Sequence, residues 1–280
     1  MHPALAEVAA LLACPECGLG LEAADRALLC ERGHSFDLAK QGYVSLLTGA
    51  STKMTGDTPA MLDARAAFQS ARHFAPIARA VITAVAAADE PAATVLEVGA
   101  GTGYYLSEVL DAAPSARGIA LDVAKPAARR CARAHPRAAS ILADAWRGLP
   151  IRDNGVSRVL AVFAPRNPAE VARVLDTDGR FVVVTPTPRH LAELVGPLDM
   201  VTVDPDKERR LAESLGGFFS AIDRVVVEYP MTLSRTDIAH VVGMGPSAFH
   251  TDATGHERIA AFDDETEVTA SVVVCAYRPA

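Results

Sequence analysis

Three cysteines and a histidine stand near the start of the chain at spacings suited to metal binding. Two residues separate Cys14 from Cys17, twelve more precede Cys30, and three lie between Cys30 and His34. A Cys-x-x-Cys turn points two thiolates at one position; Gly18 permits the tight backbone after it, and Gly33 does the same before the histidine. Thiolate and imidazole ligands in a Cys3His set suit a closed, tetrahedral, structural zinc. A dithiol redox pair would need a strand before CPEC and a helix after it, whereas GLGLEAADRALLC reads as a hairpin turning near Ala24-Asp25. Three unrelated cysteines would leave His34 unexplained. A segment this short cannot build its own core, so metal binding would supply much of its folding energy.

A second constellation lies further on, at Glu97-Val-Gly-Ala-Gly-Thr-Gly103. It follows an apolar run and precedes a helical one, so the glycines Gly99, Gly101 and Gly103 let a strand-to-helix turn approach a ligand closely. The G-x-G-x-G spacing lacks the wider third interval of a dinucleotide fingerprint, and an acidic residue precedes it. This variant is typical of S-adenosylmethionine-dependent methyltransferases, whose cofactor has no pyrophosphate. Asp122, about twenty residues beyond the loop, ends the next apolar run, where a carboxylate can accept the ribose hydroxyls. Asp144 follows a third run, where its side chain and the Ala145 amide can reach the adenine. Taken singly, each aspartate also reads as a strand-end turn or a helix cap.

The elements that position these residues follow from periodicity. TVLEV, ARGIAL, ASILA, SRVLAVF and RFVVVTP are short apolar runs, and YYLSEVLDAA, AKPAARRCARAH, NPAEVARVL and PRHLAELV are helical stretches between them. Such alternation predicts an α/β fold, a parallel sheet with helices on both faces. AIDRVVVEYP and ASVVVCAYR add two strands, joined by a mostly helical insertion from Ser234 to Phe262. Upstream, SFDLAKQGYVSLLTGA reads as a strand-like extension anchored by Phe36 and Tyr43, and STKMTGDTP as a linker. Thr58 caps and Pro59 opens a helix running to about Ala88. Arg65, Arg72 and Arg79 would share one face of it, either solvated or turned toward phosphate. The expected organisation is a zinc-binding unit over 1–50, a linker and helix over 51–90, and a catalytic unit over 91–280.

Composition limits the remaining choices. The 280 residues are 50% apolar, enough for a full core. No eighteen-residue uncharged apolar run appears and the N-terminus lacks a basic signal-peptide start, so a cytoplasmic protein without a membrane anchor is expected. The net charge of -7 argues against bulk electrostatic binding of nucleic acid. Cys131 and Cys275, far from the first cluster, read as small core residues.

Together, the zinc-type cluster, GHSFDLAKQGYVSLL, GDTPAMLDARAAFQSARHFAPI, VLEVGAGTGYY, FAP and TPTPRHLAEL resemble the RlmA family of 23S rRNA guanine-N1 methyltransferases across nearly the whole chain. That family includes an actinobacterial branch conferring tylosin-type macrolide resistance. The resemblance implies a class I S-adenosylmethionine-dependent methyltransferase, with a Rossmann-like, mostly parallel seven-stranded sheet and a small N-terminal zinc-binding β-hairpin domain that reads RNA. It implies zinc on Cys14, Cys17, Cys30 and His34, and cofactor contacts from Phe74, Gly101, Thr102 and His190. It also implies a 23S rRNA hairpin lining the peptide exit tunnel as substrate, and a homodimer whose zinc domains flank a cleft. Two departures stand out. Ala100 and Thr102 replace the cysteine and glutamate of some relatives, and residues 1 to 60 hold four Lys or Arg against seven Asp or Glu. RNA contact there rests on placed residues such as Arg26, Arg32, Lys40 and Lys53, or on shape and stacking. A second cluster, Lys125, Arg129, Arg130, Arg133 and Arg137, either adds to the footprint or forms a solvated helix face.

Methyl transfer to guanine N1 requires in-line alignment and an acceptor for the N1 proton. AVFAPRN, after the fourth strand of the alternating region, offers backbone carbonyls and Asn167 to the base edge; no general base is identifiable. A small-molecule methyltransferase would fit the sheet domain but not the zinc hairpin. A zinc-ribbon interaction protein with a decayed cofactor fold conflicts with the intact loop and both aspartates.

Overall fold

The computed structural model describes residues 2–48, 52, 54, 56–87, 93–202, 204, 206–245 and 253–280. Helix α1 (Pro3–Val8) leads into a three-stranded antiparallel sheet of β1 (Leu21–Ala24), β2 (Ala27–Cys30) and β3 (Ser35–Asp37). The β1-β2 turn falls at Asp25-Arg26, since Ala24 pairs with Ala27, one residue beyond the expected place. After β4 (Tyr43–Ser45) come α2 (Pro59–Ser70) and α3 (Ala75–Ala86). Strands and helices then alternate: β5 (Thr94–Val98), α4 (Tyr104–Ala112), β6 (Arg117–Asp122), α5 (Lys125–Cys131), β7 (Ala138–Leu142), β8 (Val156–Val162), α6 (Pro168–Val174) and β9 (Leu175–Pro186). The chain continues through α7 (Ala192–Val195), α8 (Lys207–Leu215), β10 (Phe219–Leu233), α9 (Arg235–Gly243), α10 (Ala253–Ala260) and β11 (Thr266–Pro279).

The large sheet has the order β10-β11-β9-β8-β5-β6-β7-β4. Strands β4 through β9 in it run parallel, while β11 is antiparallel to both β9 and β10. Seven strands match the expected sheet. The eighth is β4, from the segment ahead of the linker, whose Tyr43, Val44 and Ser45 pair with Ser140, Ile141 and Leu142. Sequence shows β4 only as a strand-like extension because three residues carry no period; its partner exists only in the fold.

Every residue of β5 and β7 is buried, the mark of parallel strands covered on both faces. Alternate residues feed two cores. Leu96, Ile119, Val159 and Val183 pack with α1 and the zinc-binding segment, whereas Val95, Ala120, Leu160 and Val182 pack with α3, α4 and α9. The first core carries Leu5, Val8 and Leu12 onto the sheet. Leu12 bridges Ile151, and the Ala13 amide donates to the Pro150 carbonyl at 3.0 Å, so the hairpin is tied to the β7-β8 connection.

One expected helix is two. Thr58 caps α2 by accepting from the Met61 amide at 3.2 Å, but the helix stops before Arg72, whose φ is 66°. Pro76 is the cause: its ring would meet the carbonyl of Arg72 and it has no amide to donate, so the chain breaks and restarts as α3. The arginine stripe is thereby dispersed. Arg65 pairs with Asp57, Arg72 pairs with Glu108, and exposed Arg79 lies on α3 beyond the break. The expected helical stretch at PRHLAELV shortens to α7, and α8 and α1 are helices that periodicity did not reveal. Among the described residues, no helix is long and apolar enough to cross a membrane.

Candidate functional site

The N-terminal ligands converge. Cys14, Cys17, Cys30 and His34 present their ligand atoms within 4.8 Å of one another. The Cys14 and Cys30 sulfurs lie 3.4 and 3.3 Å from His34 Nδ1, and Cys17 Sγ lies 3.8 Å from Cys30 Sγ. A tetrahedron with Zn–S bonds of about 2.3 Å has S···S edges of roughly 3.8 Å, so the donor set fits zinc. Gly18 and Gly33 take φ of 73° and 85°, closing the two ligand turns by amide bonds to the Cys14 and Cys30 carbonyls at 2.7 and 2.8 Å. No Cβ is tolerated cheaply at such φ values.

The second constellation gathers at the carboxyl ends of β5, β6 and β7, beside the point where the strand order reverses between β5 and β8. Open α/β sheets bind ligands in that crevice. Gly99, Gly101 and Gly103 all have positive φ, at 70°, 57° and 78°. Their hydrogens face different things. A Cβ on Gly99 would lie 2.7 Å from Ala164 Cβ, and one on Gly103 would lie 2.7 Å from Ala134 Cβ, so these two glycines serve packing. One on Gly101 would meet only the guanidinium of Arg65, at 2.7 Å. Gly101 is therefore the point of the loop whose approach is blocked by nothing but the end of a flexible side chain.

Asp122 accepts from the Gly101 and Ala124 amides, each at 2.8 Å, fixing the loop to the end of β6. Burial raises its pKa, against the opposing pull of those amides. Glu97 lies beneath the loop, 2% exposed, and accepts from the Leu106 amide at 3.1 Å. Burial pushes its pKa up to about 8, the Leu106 amide opposing and Asp122 reinforcing. The Thr102 hydroxyl donates to buried Gln69 on α2 at 2.6 Å. Asp144 caps the 3-10 turn Ala145–Arg147 through the Trp146 amide at 3.0 Å and accepts from the Thr52 hydroxyl at 2.6 Å. Its carboxylate thus performs the cap that sequence offered as the plainer alternative; the Ala145 backbone stands at the same strand end.

Sequence reasoning named Arg65 and the linker but did not bring them to this crevice. Arg65 binds Asp57 at 2.5 Å and the Met244 carbonyl at 2.7 Å, joining the linker, α2 and the end of α9 above Gly101. Thr52 on Asp144 and Gly56 against Ala124 lay the same linker across the ends of β6 and β7. The signal was the GD pair beside a helix-start Thr-Pro, but Gly56 meets Ala124 and Arg65 meets the Met244 carbonyl, both far along the chain.

Phe74 and His190, from distant segments, do come together. Phe74 is 2% exposed and packs 4.9 Å from Phe68, with His190 at 5.8 Å. His190 Nδ1 accepts from the Ser271 amide at 3.2 Å, which leaves the neutral ring's proton on Nε2. Phe163, just after β8, completes a triangle of rings with them, 6.2 Å from Phe74 and stacked 5.8 Å from His190. Asn167 is spent as the cap of α6 and reaches the Ala145 carbonyl only at 3.5 Å.

A cavity of about 590 Å³ lies between the zinc-binding hairpin and the β7-β8 connection and reaches the crevice at Asp144; Cys14, Pro15, Leu47, Arg147 and Arg152 are among its other lining residues. Trp146, the single tryptophan, is 52% exposed nearby in the 3-10 turn. Arg26, Arg32 and Lys40 are exposed on the hairpin side, while Lys53 lies outside the described residues. Of the second basic cluster, Arg130 pairs with Asp63 and Arg137 holds the Ala113 and Ala116 carbonyls, so only Lys125, Arg129 and Arg133 are exposed.

The strand order, the glycine loop with its two carboxylates and the Cys3His centre define a class I S-adenosylmethionine-dependent methyltransferase carrying a zinc ribbon. Residues 12–51 match the family described as RlmA, N-terminal. The chain is 46% identical to a Micromonospora griseorubida protein named for 23S rRNA (guanine-N1) methylation, covering 100% of both chains. It is 45% identical to the 23S rRNA (guanine(748)-N(1))-methyltransferase of Streptomyces fradiae, over 96% of both. A Bacillus subtilis protein named for the same guanine-N1 chemistry is 31% identical over 65% of this chain and 66% of its own. The chain belongs to this family of 23S rRNA (guanine-N1)-methyltransferases.

Proposed function

We propose that this protein transfers a methyl group from S-adenosylmethionine to N1 of a guanine in a 23S rRNA hairpin, at the position named for the Streptomyces fradiae relative, guanine 748. The observation that carries the reading is full-length similarity spanning both the Cys3His ribbon and the glycine-loop crevice. When bound, S-adenosylmethionine supplies an electrophilic methyl on sulfur. The residues present fit it: Gly101 leaves a backbone approach gated only by Arg65, and Asp122 keeps unused lone pairs beside the loop. Gly99, Gly101, Thr102, Gly103 and Asp122 would hold the ribose and methionine end. Asp144 and Ala145 would border the adenine, and Phe74 and His190 would line the far wall. Glu97 would act from below the loop, through the amide of Leu106.

Guanine N1 carries a proton at neutral pH, and it must leave as the N–C bond forms. His190 does not take it in its neutral form: Nδ1 already accepts from Ser271, and Nε2 then bears hydrogen and can only donate. The base edge normally faces its pairing partner, so the nucleotide must leave its stack before N1 is reached. In this reading residues 1–50 grip the hairpin, residues 51–90 link and close the crevice, and residues 91–280 perform the transfer. The cavity beside the ribbon, which meets the crevice at Asp144, gives the RNA a surface leading from one to the other. Because the ribbon is not basic overall, it grips with a few cations and a rigid shape.

The protein acts in the cytoplasm, where its substrate is, and works as a homodimer. The apolar run Phe218, Ile222, Val225 and Val226, exposed on and beside edge strand β10, supports the dimer. Light scattering should give twice the chain mass. By its resemblance to the resistance-conferring actinobacterial branch, the protein would confer macrolide resistance of the tylosin type, so expression in a susceptible host should raise tolerance to tylosin. Reverse transcription across 23S rRNA treated with enzyme and S-adenosylmethionine should stop at one new guanine, since an N1 methyl blocks pairing; no new stop refutes the assignment. Cys14→Ser with Cys17→Ser should abolish the stop while S-adenosylhomocysteine still binds. Unchanged methylation by the metal-free variant would refute the gripping role of the ribbon.

A further inference from the structure

Phe163 sits where a backbone strand end turns sharply, and it does so at a cost. Its φ is 53°, in the left-handed region, where L-residues are strained. At the neighbouring positive-φ positions of the crevice, Gly99, Gly101 and Gly103, the chain carries glycine. At 163 it carries a large aromatic residue instead. Core packing does not explain the choice, because the residue is 41% exposed. Nor does backbone bonding, because the Phe163 amide donates to the Val184 carbonyl at 3.1 Å, a bond that glycine would make equally well.

The ring's position is informative. It follows β8, the first strand on the far side of the reversal point from the glycine loop. Its neighbour Ala164 packs against Gly99, so the ring's backbone is braced directly on the loop. The loop, Asp122 and Asp144 occupy the β5-β6-β7 half of the crevice, which leaves the β8-β9 half for the methyl acceptor. The wall of that half is aromatic. Phe163 lies 5.8 Å from His190 with the rings 24° apart, and Phe74 backs the pair at 6.2 Å from Phe163. The His190 ring is itself oriented by the Ser271 amide, so the stack is pre-set.

We propose that Phe163 is the platform on which the target guanine stacks once it has left the RNA helix, positioning N1 toward the methyl-donating end of the crevice. The proposal rests on the guanine-N1 activity given above. A flat aromatic face accepts any base, so Phe163 positions the acceptor and does not select guanine. The left-handed backbone is what turns the ring out of the core and into the crevice.

The test compares wild type, Phe163→Ala, Phe163→Tyr and Phe163→Gly on the hairpin RNA whose target is first mapped by the reverse-transcription stop. Stacking on an aromatic ring contributes enough per base that Phe163→Ala should lower kcat/KM by about 10- to 100-fold, and Phe163→Tyr should restore it to within about threefold of wild type. S-adenosylhomocysteine affinity, measured by calorimetry, should stay within about twofold for all four proteins. Phe163→Gly, freed of the left-handed strain, should unfold at the same or higher denaturant concentration than wild type and yet methylate as poorly as Phe163→Ala. With a hairpin abasic at the target, wild type and Phe163→Ala should bind equally, whereas with the intact base wild type should bind more tightly. Wild-type methylation rates in Phe163→Ala, loss of S-adenosylhomocysteine affinity in parallel with activity, or an equal binding deficit on abasic RNA would each overturn the proposal. A wild-type enzyme that binds S-adenosylhomocysteine but produces no stop in 23S rRNA would instead refute the guanine-N1 activity beneath it.

Discussion

Replacing Glu97 with glutamine isolates the effect of one buried proton. The carboxyl lies under the glycine loop with 2% exposure, and its pKa is pushed from 4.5 to about 8, mainly by burial. The folded protein therefore holds a proton there that the unfolded chain has released at neutral pH. Stability from this group is complete below about pH 4.5 and is lost as pH rises toward about 8. Between these limits each pH unit removes about 1.4 kcal/mol. Allowing for partial titration near the upper limit, the loss from pH 6 to pH 8 is about 2 kcal/mol. Glutamine can accept from the Leu106 amide through its carbonyl oxygen and has no proton to lose, so Glu97→Gln should lack this slope. Urea unfolding of both proteins at pH 6, 7 and 8 reads it, because the titrating groups other than Asp122, whose charge acts on Glu97, are common to the two and cancel. Parallel stability profiles would show that Glu97 is ionised in the folded state and would refute the account of a neutral carboxyl supporting the loop.

Gly103→Ala would set a Cβ 2.7 Å from Ala134 Cβ at a φ of 78°, and thermal melts should show a loss of about 1–3 kcal/mol. Val44→Asp places a charge in a fully buried position of the added strand β4; denaturation should show a cost of at least about 3 kcal/mol, with hydrogen exchange rising in β4 before β5. The purified protein should contain one zinc per chain by elemental analysis, and Cys17→Ser should lose it together with protection of the β1-β2 hairpin. An intact hairpin in the metal-free variant would contradict the view that metal binding supplies its folding energy.

Local chemistry was largely legible in the sequence. The Cys3His spacing fixed a metal centre because ligand turns of two and three residues leave the thiolates few other places to point. The five apolar runs and the loop at Glu97–Gly103 gave the wound sheet and the crevice, since parallel strands buried on both faces must be apolar throughout. Pro76 lay in plain view, yet the helical period on both sides of it hid the break that scatters Arg65, Arg72 and Arg79.

Pairings between distant segments were decided only by the tertiary structure. Nothing local in Tyr43–Ser45 says that it extends the sheet beside β7, or that Leu12 bridges Ile151 and ties the ribbon to the catalytic unit. Asp144 as a cap held by Thr52, Arg65 as the gate above Gly101, and the grouping of Phe74, Phe163 and His190 all join residues tens of positions apart. The strained φ at Phe163 belongs to this class as well. A sequence specifies ligand spacing and periodicity through neighbours along the chain, whereas which strand ends meet, and what fills the space between them, depends on how the whole core closes.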